Sequence, residues 1–203
     1  MMRKVTRQWW LLAGFGTTLL VGLAAPALQV CVDGDDLRIA APPQFRFLAG
    51  KPLEKLKDGA TLVFLAQLSL STEVNAPAIR RAVDRFVVSY DVWEEKFSVT
   101  STAFQKATAS HLSSTAAEAW CLDHLALGID GIARDKPLWI KLELRAEDAR
   151  DQAAVVGESG INLTRLIEVF SNPARAQQMR WEAIAGPVRI EDLKKERRSQ
   201  RSG

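Results

Sequence analysis

A chain of 203 residues, 47% hydrophobic and 25% charged, has the composition of a folded globular domain and excludes collagen, disorder and a multi-span membrane protein. The formal net charge of +3 is unevenly placed: Arg3, Lys4 and Arg7 open the chain, and Lys194, Lys195, Arg197, Arg198 and Arg201 close it against a single acid, Glu196. Residues 28–193 then hold 19 basic and 23 acidic side chains, a net acidic body that excludes a domain-wide basic face for nucleic acid.

The basic opening runs into an uncharged stretch from Trp9 to Val32 that contains Ala24-Ala25-Pro26-Ala27. Charge, then an apolar run, then small residues is the layout of a secretory leader, and Ala25 and Ala27 supply the small-x-small pattern before cleavage. We therefore expect an exported, periplasmic protein with a leader over 1–27. The run is also long enough to span a bilayer if uncleaved, which would anchor the domain in the inner membrane facing the periplasm. Cys31 follows Leu28-Gln29-Val30, which does not fit a lipid-attachment cysteine. Export allows Cys31 and Cys121, the only cysteines, to form one disulfide. Cys121 lies in an apolar helical pattern and suits a buried free thiol equally well.

Past the leader, Leu37–Ala41 reads as a short strand stopped by Pro42-Pro43, and Pro52–Lys57 as a helical turn stopped by Gly59. Thr61–Ser71 alternates, with Leu62, Phe64, Ala66, Leu68 and Leu70 on one face, which is a strand. Asp84–Val92 alternates again, and the pattern resumes at Phe97 and Val99 after Trp93-Glu94-Glu95-Lys96, so the pair reads as a hairpin. Thr115 and Glu118 fit a capping box opening an apolar helix over Ala116–Ile129. Leu138–Arg145 is the clearest strand, with Lys141, Glu143 and Arg145 outward. A stripe of Leu163, Leu166, Ile167 and Phe170 predicts a second helix ended by Pro173, and Met179–Ala185 and Val188–Ile190 are two closing strands parted by Gly186-Pro187. The expected fold class is α+β: a mainly antiparallel β-sheet or sandwich decorated by two or three helices, one domain over 28–193 and a basic flexible tail over 194–203.

Catalytic signatures fail for nameable reasons. Gly50-Lys51 is followed by Pro52 and lacks the first glycine of a phosphate loop. Gly157-Glu158-Ser159-Gly160 has the wrong spacing for a nucleophile elbow. Asp33-Gly34-Asp35-Asp36 has a misplaced glycine, and Gln44 stands where a calcium loop closes on glutamate. Cys121 and His124 share a helix face but lack two further zinc ligands. Glu94-Glu95 lies in a turn, where carboxylates stay hydrated and are poor general acids. No catalytic, metal or cofactor residue is assigned. Trp93 at a hairpin tip and Trp139 on the outward face of a strand are candidate contacts for a partner, and Lys194, Lys195, Arg197 and Arg198 can approach an anionic membrane surface.

The stretch Arg85-Phe86-Val87-Val88-Ser89-Tyr90-Asp91-Val92-Trp93-Glu94-Glu95-Lys96-Phe97-Ser98-Val99, together with Arg180-Trp181-Glu182-Ala183 and Gly186-Pro187-Val188-Arg189, resembles a family of small exported bacterial domains of unknown function with a tyrosine-centred hairpin. Some members are encoded near nitrogen-regulation sensor kinases. The likeness covers about residues 35–193 and implies export, with no catalytic residue to carry over. The expectation is a non-enzymatic exported domain that binds a protein or cell-envelope component. An anchored accessory sensory or regulatory domain is the alternative, and an enzyme with scattered carboxylates is a third.

Overall fold

The computed structural model describes residues 28–40, 42–102, 106–147, 156–157, 160–161, 164, 167, 170 and 178–193. In chain order its elements are β1 (Gln29–Asp33), β2 (Asp36–Ala40), α1 (Lys51–Lys57), β3 (Leu62–Ser71), β4 (Arg80–Asp91), β5 (Lys96–Ser101), β6 (Ala107–Leu112), α2 (Ser114–Asp123), β7 (Leu127–Gly128), β8 (Leu138–Ala146), β9 (Val156–Gly157), β10 (Gly160–Ile161) and β11 (Arg180–Val188). Helical backbone also occurs at Thr164, Ile167 and Phe170, inside the helix expected there, and over 190–193.

The alternating runs pair as their periodicity requires. Six strands form one antiparallel sheet in the order β11-β8-β3-β4-β5-β6. Register places Phe64 beside Phe86, Leu68 beside Leu142 and Val88 beside Val99, so the apolar face of each strand joins one buried surface. A second layer covers that surface: α1, α2 and a small antiparallel sheet in the order β1-β2-β7. Phe47 from the segment before α1 packs edge-on to Phe64 at 5.2 Å and to Trp181 at 6.3 Å, which ties the layers together. The architecture is the α+β, sheet-rich one expected, with a mixed second layer.

Three local readings are corrected. The helix over Ala116–Ile129 stops at Asp123. Beyond it Leu125, Leu127 and Ile129 are buried at every second position, and the Ile129 N–H donates to the Asp35 carbonyl at 2.9 Å. That period of two belongs to a strand, and continuous apolar content had hidden it. Nor does Thr115 cap α2. Ser113 is the N-cap, its hydroxyl accepting from the Ala116 N–H at 3.2 Å, and Glu118 turns into the core instead. Gly186-Pro187, joined by a cis peptide, does not divide two strands but is a register shift inside β11. Asp33–Asp36 is the turn of the β1–β2 hairpin, with Gly34 at φ +66° supplying the left-handed position, and Cys31 is held in strand β1.

Strand β6 escaped the sequence reading because Ala107–Leu112 is a sheet-edge segment of small and polar residues with no apolar face to read.

Candidate functional site

The two ends of β4 carry the most distinctive surface features. At its C-terminal end the β4–β5 turn spans Val92–Glu95 between the paired Asp91 and Lys96. One Asp91 carboxylate oxygen accepts the N–H groups of Trp93 (2.8 Å) and Glu94 (3.1 Å), and Glu95 takes the left-handed conformation at φ 54°. Across the sheet, His111 Nε2 lies 3.1 Å from a Glu94 carboxylate oxygen, while its Nδ1 is 3.0 Å from Ser110 Oγ. These contacts set the turn from several directions. What it presents is apolar: Trp93 is 96% exposed and Val92 54%.

At the N-terminal end of β4 is an open cleft of about 260 Å³ lined by Arg80, Arg81, Ala82, Ala126, Leu127, Gly128 and Asp130. Arg80 donates to the carbonyls of Ile79 (3.4 Å) and Asp130 (3.3 Å). Ala82, Ala126 and Gly128 are among its lining residues, and a Cβ added at Gly128 would meet nothing within 4 Å.

The outward face of the main sheet is partly buried as well. Glu143 and Arg145, expected to face solvent, are 5% and 4% exposed, and Gln67 beside Glu143 is 9% exposed. Arg145 Nε donates to Glu143 at 2.5 Å, Arg180 Nε lies 3.3 Å from the same carboxylate and Lys141 Nζ 3.6 Å. The Arg145 guanidinium stands 5.0 Å over the Phe170 ring, so helical chain at Phe170 covers this face. Arg85 adds a two-pronged pair to the buried Glu147 at 3.1 and 2.7 Å. Charge on alternate strand positions predicts exposure, so sequence reasoning missed this cluster; nothing local marks a strand whose second face is covered by a distant helix.

Trp139 is on the outward face as expected but half-buried, its ring against Gly186. Of the two candidate tryptophans, only Trp93 is fully offered to a partner. The disulfide is not made: Cys31 and Cys121 are both free thiols. Cys31 pairs in register with Arg38, on the face of the small sheet opposite the buried Val32 and Leu37. Cys121 is buried in the core. Burial pushes its thiol well above the ordinary value, helped by the nearby charges of Asp84 and Glu118, the opposite of what a nucleophile needs. The Nδ1–H of His124 donates to the Trp120 carbonyl (2.7 Å), and the ring stacks on that indole. Among the described residues no group of three or more His, Cys, Asp or Glu is placed to hold a metal ion. Val156-Gly157 and Gly160-Ile161 pair antiparallel, with Gly157 beside Gly160. The leader, with its anchor alternative, and Lys194, Lys195, Arg197 and Arg198 lie outside the described residues.

No family model, no curated protein and no solved structure matches this chain.

Proposed function

We propose that this chain is an exported, non-enzymatic domain that binds a protein or another component of the cell envelope, with Trp93 as its contact anchor. A single observation carries the reading: a tryptophan 96% exposed on a turn fixed by Asp91, Glu94 and His111. Aromatic anchors dominate interfaces because they bury much apolar area, and a turn already ordered loses little further entropy on binding. Export rests on the leader pattern. It is compatible with the packing at its boundary, because Leu28 is already part of the core and β1 starts at Gln29. A second reading, an accessory sensory or regulatory domain held at the inner membrane, draws on the same boundary. The 19 uncharged residues from Trp9 to Ala27 suffice for a span, joined to the domain without a linker.

The test is a photo-crosslinking amino acid placed at Trp93 and, as control, at the exposed Glu73, in cells that are then fractionated. Adducts from position 93 alone, in the envelope fraction, are expected. Equal adducts from both positions, or none from 93, would overturn the assignment of the anchor. A periplasmic mass starting at Leu28 selects the first reading; a full-length membrane species selects the second.

A further inference from the structure

We propose that the partner of the Trp93 turn is a second copy of this chain, and that the turn docks in the cleft between Arg80, Arg81 and Gly128. This rests on Trp93 being the contact anchor and names what it contacts. Two properties match. The first is size. At about 260 Å³ the cleft is smaller than the roughly 300–1,000 Å³ of small-molecule sites. Its open space at Gly128 suits one bulky side chain beside Ala82 and Ala126.

The second property is charge. The turn is flanked by Asp91, Glu94 and Glu95 against Lys96, with His111 at Glu94 and with one Asp91 oxygen holding the turn's N–H groups, so that Glu95 is the carboxylate outside these contacts. The cleft offers Arg80 and Arg81 against the single anion Asp130. Arg80 is held only by backbone carbonyls, and among the described residues neither arginine is paired with a carboxylate. Arg80 and Arg81 therefore line the opening that the acidic rim of an incoming turn would meet, while the indole would enter beside Ala82, Ala126 and Gly128.

Intramolecular docking is excluded by distance. Turn and cleft sit at opposite ends of the 12-residue β4, which at about 3.4 Å per residue are on the order of 40 Å apart. A chain bearing both halves of one contact at opposite ends associates either reciprocally, as a closed pair, or head to tail. Both forms use the same contact.

Sedimentation of the full chain in mild detergent, at low and high salt, tests this. The wild type is expected to self-associate, more weakly at high salt. Trp93→Ala, Gly128→Leu, which fills the cleft, and the pair Arg80→Glu with Arg81→Glu should each weaken association at least about 30-fold, as loss of an interface hot spot does. Circular dichroism should stay unchanged. Mixing the Trp93→Ala chain with the Arg80→Glu/Arg81→Glu chain should restore a one-to-one complex, since one intact turn then meets one intact cleft. A monomeric wild type overturns the proposal. So does association that survives the substitutions, as pairing through residues 9–27 would. A monomer whose position 93 still crosslinks to another molecule defeats the self-docking and leaves the binding reading standing. A position 93 that crosslinks to nothing defeats both.

Discussion

Glu118 shows how a single side chain trades local for global work. Its carboxylate is buried on α2, where it accepts the Leu48 N–H at 2.8 Å and pairs with Arg46 Nε at 2.7 Å. It thereby pins the helix to the segment that carries Phe47. Burial raises its pKa above the ordinary 4.5, and the Leu48 hydrogen bond and the Arg46 charge only partly offset that. A folded-state pKa above the unfolded one means that the folded protein keeps the proton longer. The contribution is fully present below 4.5 and is lost as pH rises through the raised value. Glu118→Gln removes this titration while keeping an acceptor for Leu48. From about pH 4 to about pH 7 the wild type should therefore lose stability relative to Glu118→Gln, as read by urea unfolding across that interval. A flat difference would show that Arg46 compensates the buried charge fully.

At the scale of elements, two strands and a helix depend on positions that a sequence pattern misassigns. Ser113, not Thr115, satisfies the first turn of α2. Ser113→Ala should cost about 1 kcal/mol, whereas Thr115→Ala should stay within about 0.5 kcal/mol; paired denaturation midpoints check this. The β8–β11 pairing depends on a glycine. Gly186 has φ +145°, and an added Cβ would come within 2.7 Å of Trp139 Cε3 and 3.0 Å of the Leu138 carbonyl. Gly186→Ala should therefore destabilise by about 1–3 kcal/mol. Adding Trp139→Ala should recover part of the loss, the part due to the indole, but not the part due to backbone conformation. A double-mutant cycle separates the two. Full additivity would place the whole cost in the backbone.

For the whole molecule, the main sheet is buried on one face and partly buried on the other, by different chemistry. One face meets Phe47, Leu56, Leu122 and their neighbours in an apolar core. The other carries Glu143 ringed by Arg145, Arg180 and Lys141, with Phe170 over Arg145. Breaking such a cluster is costly only where a buried charge loses a partner. Of the three cations only Arg145 is buried, while Lys141 and Arg180 are 36% and 35% exposed and also pair with Glu182. Glu143→Ala should thus destabilise by about 1–3 kcal/mol, and Glu143→Gln by less, since the amide oxygen still accepts from Arg145. Thermal and chemical unfolding of the two variants distinguish this from a solvated surface charge, whose removal would stay within about 0.5 kcal/mol.

The division between what was legible and what was not follows the range of the forces. The sequence by itself pointed to the strands whose apolar residues alternate: Thr61–Ser71, the hairpin of Asp84–Val92 with Phe97 and Val99 and Trp93 at its tip, and Leu138–Arg145, hence the antiparallel α+β class. Burial of every second side chain is a local constraint that a strand must carry in its own residues. It also showed that no patterned metal or nucleophile motif is present. Tertiary structure alone decided where α2 ends, since Leu127–Gly128 becomes a strand only by pairing with β2. It decided that Glu143 and Arg145 are covered, because the helical chain at Phe170 that covers them is remote in sequence. And it decided the Arg80/Arg81 cleft, whose walls come from β4 and from residues 126–130. Each of these is a contact between segments far apart in the chain, and such contacts leave no periodicity in either partner.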